Sequence, residues 1–300
     1  MQVPKIRVGP PLRHRVLAIF PLFSDASSSL DYRLADEAIT ASDLVVQEVG
    51  EHGSVPELLV ENKGEQRVLF LEGEQLIGAK QNRILNTSIL IAAKSKTKIP
   101  VSCVEQGRWR YTSKAFAAAK SMSGANLRYA LKSSVSDSLK TARGHSSDQG
   151  AVWREVARQQ DVLGTSSGTA AMSDTYKAFA KEMKEYQGLL KYVDGACGVA
   201  VAVGPKVLCF DLFDKPTTCC KVWDTLLSGF VMDALESAGA AGETSGGDVE
   251  QLLADSAQAR WQEAQAVGEG QEYRTEFGDK QGSALTLDGT VVHLNVVAMR

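Results

Sequence analysis

The sequence predicts an α+β fold, with a β-rich antiparallel amino-terminal part followed by a helical and mixed α/β carboxy-terminal part. Three observations carry that expectation. Short apolar runs bounded by turn residues dominate the chain from Arg15 to Gln106. Apolar spacings of three and four residues take over beyond Ser113, and Asp288-Gly289 marks a hairpin near the end of the chain. Connections as short as Lys63-Gly64 and Lys94 to Lys96 leave no room for crossovers, so the early strands should run antiparallel.

Taken in order, Arg15 to Phe23 reads as a buried strand, Ser24 to Ser29 as a polar turn, and Ala35 to Ala41 as a short helix. Strands are expected over Leu44 to Val49, Glu57 to Glu61, Arg67 to Leu71, Arg83 to Ile91 and Lys98 to Val104. The segment from Ser113 to Gly150 is rich in Ser, Ala, Lys and Arg, yet Leu127, Leu131, Val135 and Leu139 recur at every fourth position, which predicts a helix with a narrow apolar stripe. This segment would be the seam between a part spanning 1–112 and a part spanning 113–300, or else the two share one core. Ser147 is placed to cap a helix from Gln149 to Leu163 that stops at Gly164, and Asp148 would itself compete for that cap. Tyr176, Phe179, Met183, Tyr186 and Leu190 give a second helical stripe over Asp174 to Val193. A hairpin is expected about Gly204-Pro205, apolar on both faces and therefore covered on both sides. Further helices should span Lys221 to Ala238 and, capped by Asp248, continue to Ala266.

Composition excludes several classes. The 300 residues are 44% hydrophobic with a net charge of -3, enough for a sizeable core and too little charge for a global field towards nucleic acid or membrane. No apolar run approaches the roughly 20 residues of a membrane span, and the amino terminus lacks a secretory h-region, so a cytoplasmic protein with no membrane partner is expected. Five cysteines show no C-x-x-C spacing, and His14, His52, His145 and His293 are scattered, which argues against a disulfide framework and against a zinc site. Nothing names a cofactor, and nothing fixes the oligomeric state. From Arg108 to Arg143 there are eight basic residues against the single acidic Asp137. Aromatic residues there are few and no RNA-binding fingerprint is present, so a solvated helix face is expected and nucleic acid is the weaker reading.

The chemistry concentrates in EGEQLIGAKQNRILN, residues 72 to 86. If Lys80, Gln81, Asn82 and Arg83 are extended, alternate side chains face opposite ways, and one pair must approach the core. Arg supplies a planar fork, and Asn and Gln supply donor and acceptor, a set suited to phosphate, carboxylate or ribose oxygens. An edge strand guarded by charge is the plainer explanation, but it favours Lys and Glu over Gln and Asn. Glu105 continues the row Ile99, Val101 and Cys103 at a strand end, where burial would raise its pKa unless a cation such as Lys80, Arg83 or Arg108 stands near. Asp211 and Asp214 lie in CFDLFD at the end of an apolar strand, and Glu72 with Glu74 form a further carboxylate pair.

GSVPELLVENKG, LEGEQLIGAKQNRILNTSILI, IPVSCVEQGRWRY, SSDQGAVWREVA and CFDLFD together resemble the ARG-and-rhodanese-phosphatase-associated protein domain family, in the same order from the start of the chain to about residue 240. That family is named for gene neighbourhoods with ADP-ribosylglycohydrolases and rhodanese or phosphatase domains. The resemblance implies a polar cluster drawn from Glu72, Glu74, Lys80, Gln81, Asn82, Arg83, Asn86, Glu105, Gln106, Arg108, Trp109, Ser147, Asp148, Gln149, Trp153, Asp211 and Asp214. Residues 243–300 carry no motif of the resemblance.

The expected function is therefore binding, with a catalytic step left open, of a small molecule bearing phosphate or ribose, such as an ADP-ribose or nucleotide derivative. Lys80 and Arg83 would hold the anion, and Gln81, Asn82, Asn86, Arg108, Trp109 and Gln149 would orient the ligand. Glu105 would be the acid or base, assisted by Asp211. The alternative is a non-enzymatic scaffold or interaction protein whose polar motif is a buried network locking the core.

Overall fold

A computed structural model describes residues 1–26, 28–50 and 53–299. Ser27, inside the expected Ser24 to Ser29 turn, and His52 lie outside the described residues. The α+β expectation holds, and the sheets are largely antiparallel.

The largest sheet runs in the spatial order Arg7–Val8, Leu17–Phe23, Gly198–Val203, Lys206–Phe213, Thr290–Ala298, Lys280–Leu287, Gln271–Phe277 and Gln262–Ala264, with Leu12–His14 also paired to Leu17–Phe23. It thus joins strands from near both ends of the chain. A second sheet orders Phe116–Met122, Glu74–Gly78, Arg83–Leu85, Ser95–Cys103, Glu57–Asn62 and Leu44–Glu48. A third, small sheet orders Ile89–Ile91, Arg67–Phe70 and Tyr32–Leu34, the last pair parallel. The strands before residue 112 and those after it are shared between sheets, and apolar residues from both stretches fill the same core.

Several elements differ from expectation for identifiable reasons. The run Arg83 to Ile91 is two strands, because Asn86 turns its side chain inward to donate to the His145 carbonyl and to accept from the Ser102 hydroxyl. The helix over Asp174 to Val193 breaks at Phe179, leaving Met172–Ala178 and Ala180–Leu189. Asp148, not Ser147, caps the helix Gln149–Val162 by accepting from the Ala151 amide, while the Ser147 hydroxyl bonds Ser102. Pro216 opens the long helix Pro216–Glu236 five residues ahead of expectation, since proline fits a first helical turn whose N–H is unused anyway. Ser245 and Asp248 cap the next helix reciprocally, but it ends at Gln258, where Ala259 is extended and the Trp261 indole N–H turns back to the Ser256 carbonyl.

The strand Phe116–Met122 has no mark in the sequence, because FAAAKSM has little β-forming character, and it carries a register shift between Ala118 and Met122. The long helix packs across this strand. A Cβ at Gly229 would come within 2.6 Å of the Ser123 carbonyl oxygen, so the glycine inside a helix is the cost of close approach. The helix Ala125–Lys140 lies beside it and against the largest sheet.

Candidate functional site

The motif loop is organised around Arg108. Its Nε and Nη2 donate to the Glu105 carboxylate at 2.8 and 2.7 Å, and its Nη1 donates to the carbonyls of Ala79 and Arg110 at 2.6 and 3.0 Å. Nη2 reaches the Gly78 carbonyl and the Asn82 amide oxygen as well. One guanidinium thereby ties the 78–82 turn to the 105–112 loop, in the bidentate geometry that makes arginine suited to this work.

Glu105 also accepts from the Asn82 backbone N–H and the Thr169 hydroxyl. Burial alone would raise its pKa. The Arg108 hydrogen bonds, with those from Asn82 and Thr169, outweigh burial and hold it below the usual carboxylate range. Gln81 donates to the Glu105 carbonyl, and its amide oxygen accepts from Arg83 Nη1 at 2.9 Å. Arg83 is fully buried, with Nη2 lying 3.8 Å from Glu48 Oε2. Its Nε and Nη2 have no hydrogen-bond partner. Burial lowers its pKa, and the neighbouring Cys103 and Glu48 partly offset that.

Above this base two aromatic rings stand in solvent. Trp109 is 48% exposed and Tyr111 is 51% exposed, whereas most large apolar side chains are buried. Lys80 Nζ lies 5.3 Å from the Trp109 ring centroid and 5.0 Å from that of Tyr111, and Arg83 Cζ lies 5.7 Å from the Trp109 centroid. Two cations and two rings therefore share one corner, within cation–π range.

Asp211 is elsewhere. It is fully buried and accepts from Arg128 Nη1 and Nη2 at 3.0 and 2.6 Å, and from the Asn295 amide at 3.0 Å. His293 Nε2 is also 3.0 Å from its Oδ1, and His293 Nδ1 is 2.8 Å from the Ser88 hydroxyl. Burial would raise the pKa of Asp211, but the Arg128 charge and the His293 and Arg128 hydrogen bonds hold it far below the usual range. Burial also lowers the His293 pKa, with Asp211 opposing. None of these contacts reaches Glu105, so the two carboxylates expected to act together are not brought together.

A second ionic group adjoins it through the 72–88 segment. Ser88 accepts from the Glu72 amide, Lys132 Nζ sits 2.5 Å from Glu72 Oε1, and the Ser283 hydroxyl donates to Glu72 Oε2. Burial lowers the Lys132 pKa to about 8 against the pull of Glu72. Arg274 Nη1 lies 4.0 Å from Glu72, and Arg274 Nε donates to Glu272 at 2.5 Å. Glu272 meets His145 Nε2 at 2.8 Å, and despite burial the Arg274 charge and His145 lower its pKa to about 2. These interactions join the helix Ala125–Lys140, the largest sheet and the motif turn.

Of the remaining expected residues, Asn86 bonds Ser102 and His145, and Gln149 brackets the Cys103 backbone with both ends of its amide at 2.8 Å. Both are thus turned towards protein groups. Asp214 is buried against the Tyr32 hydroxyl, apart from Asp211's partners. Of the expected solvated basic face, Arg110, Lys114, Lys120, Lys140 and Arg143 are exposed, but three residues are not. Arg128 and Lys132 are buried because they sit one residue beyond Leu127 and Leu131 on a helix covered on two sides, and Arg108 because it is drawn into the Glu105 and 78–82 contacts. Sequence reasoning missed Arg128, Lys132, Arg274, His293, Asn295 and Glu48. The four-residue spacing of Arg128 and Lys132 beside the leucine stripe was the available signal for those two, and nothing marked the others. Among the described residues no three His, Cys, Asp or Glu side chains group as metal ligands, and no helix is long and apolar enough to cross a membrane.

No curated protein and no solved structure is significantly similar to the chain. A family profile does match, over residues 5–297, and it includes the closing strands that carry Arg274, His293 and Asn295. The chain belongs to the ARG and Rhodanese-Phosphatase-superfamily-associated Protein domain family.

Proposed function

We propose that the chain binds a small molecule bearing phosphate or ribose, an ADP-ribose or nucleotide derivative, at the corner of Lys80, Trp109 and Tyr111. The observation that carries this reading is the pair of half-exposed rings flanking the Lys80 ammonium. A base stacked on such a ring is worth about 1–3 kcal/mol, and a phosphate beside it would meet Lys80. Arg83 supports the anion from beneath with two nitrogens that lack hydrogen-bond partners. Gln81, Asn82, Glu105 and Arg108 hold the loop, and Asn86, Gln149 and Asp211 hold the fold on which it stands.

The reading is of binding rather than turnover. Glu105, the expected acid or base, accepts four hydrogen bonds and is biased towards its ionised form, which leaves it no proton to give and no free lone pair facing the corner. Thermal denaturation with ADP-ribose, NAD, AMP and ribose 5-phosphate tests it. At least one should raise the melting temperature of the native chain and fail to raise that of Trp109→Ala. Equal response in both proteins, or no response in either, overturns the reading.

A second reading, a non-enzymatic scaffold or interaction protein, is favoured by the complete burial of Glu72, Arg83 and Asp211. It predicts that substitutions throughout the motif change stability alone, with no ligand response to lose.

A further inference from the structure

A separate cleft of about 310 Å³ opens between the strand Phe116–Met122 and the helices Met172–Ala178 and Ala180–Leu189. Its walls include Ile77, Tyr176 and Met183, and its rim carries Lys120, Lys177 and Lys184. Gln75 lies on its floor, buried to 1% exposure. The Ser121 hydroxyl occupies the Gln75 amide oxygen, which leaves Gln75 Nε2 as a buried donor with no partner. Two further polar walls are satisfied within the protein: the Tyr176 hydroxyl donates to the Met122 carbonyl, and the Ser228 hydroxyl to the Thr225 carbonyl.

The backbone is shaped around this cleft. Lys120 has φ of 52°, a conformation costly for a non-glycine residue, and sits inside the register shift between Ala118 and Met122. Such irregularities re-aim side chains beside binding sites. Lys120 and Lys177 have only surface acidic partners, Asp36 at 3.4 Å and Asp174 at 3.1 Å, and Lys184 has none among the described residues. Exposed pairs of that kind are worth about 0–1 kcal/mol, so an incoming anion displaces them at small cost.

We infer that this cleft binds an organic anion, a carboxylate or phosphate monoester carried on a short apolar or aromatic body. The body would lie on Ile77, Tyr176 and Met183, the Gln75 amide N–H would meet an acceptor on the ligand at the floor, and the lysines would hold the charge at the rim. Apolar walls with a few converging polar groups are the usual construction of small-molecule sites. The inference does not depend on the Lys80 corner, which uses a different set of residues.

Calorimetric titration of the full chain with benzoate, phenyl phosphate, inorganic phosphate and neutral benzyl alcohol tests it. Benzoate or phenyl phosphate should bind measurably, with the tighter one identifying the head group, and inorganic phosphate and benzyl alcohol should bind far more weakly. Lys184→Glu, on the exposed helix face, should weaken binding roughly fivefold. Ala180→Phe, also exposed, should fill the cleft and remove binding, while Trp109→Ala leaves it intact. The inference fails if neither aryl anion binds below about 10 mM, if benzyl alcohol binds as well as they do, or if Ala180→Phe binds unchanged.

Discussion

Two polar regions of this molecule contain the same residue types and differ in what surrounds them. Around Asp211, Arg128, Lys132 and Glu72 every charge is sealed and paired, and the partners come from a helix, the largest sheet and the motif turn. Around Lys80, Arg108 and Glu105 the lower layer is also buried, but Arg83 keeps two nitrogens without a hydrogen-bond partner, and the layer supports two rings that stand half in solvent. Burial with full pairing fixes a fold, because removing either partner strands a charge away from water. Trp109 and Tyr111, beside the Lys80 ammonium, instead leave aromatic surface open to solvent. On the proposed reading, that difference separates residues that hold the protein together from residues that would meet a ligand.

That contrast can be broken at several points. The largest effect is expected from Asp211→Ala, which leaves Arg128 buried without its carboxylate and should cost about 3–5 kcal/mol, measured by urea denaturation. Arg128→Met in the same background should recover part of that loss, because the stranded charge is gone.

Glu74 offers a change of opposite sign. Burial, with a small addition from Asp36 and partial relief by the Leu71 amide, pushes its pKa from 4.5 up to about 7. A folded-state pKa above the unfolded one means that the contribution is fully present below pH 4.5 and is lost as pH rises through about 7. Glu74→Gln should therefore flatten the fall in stability across that window and gain about 3 kcal/mol near pH 8. Equal effects at low and high pH would contradict it.

Arg108→Met removes the ties between the 78–82 turn and the 105–112 loop, and should cost about 2–3 kcal/mol with faster amide exchange confined to those two segments. Trp109→Ala is the smallest change to the fold, within about 1 kcal/mol, because nearly half of the side chain is already in water. The corner reading requires that this mild substitution have the larger effect on binding.

Much of the fold was legible because apolar alternation and turn residues mark elements directly. The hairpin through Gly198–Val203 and Lys206–Phe213 and the helix Ala125–Lys140 followed from that pattern. The strand Phe116–Met122 did not, since alanine-rich sequence states no preference and its place is set by contact with Gly229 on the long helix. The unusual character of Lys80 to Arg83 was visible in their composition, but not that all four would be buried. Arg83 and Lys80 are three residues apart, and only tertiary packing puts one beneath Trp109 and the other beside it. His293 and Asn295 gave no signal, because their partner Asp211 is more than 80 positions away and the strands joining them pair only in the folded sheet.

The most direct test sets the two regions against each other with one ligand. Calorimetric titration of ADP-ribose, or of whichever nucleotide stabilises the native chain, is made into folded Trp109→Ala and folded Asp211→Asn at a temperature below both transitions. The account predicts that Trp109→Ala retains its melting temperature and loses binding, whereas Asp211→Asn melts earlier and binds with the native affinity. Loss of binding in folded Asp211→Asn, with native affinity in Trp109→Ala, would contradict it.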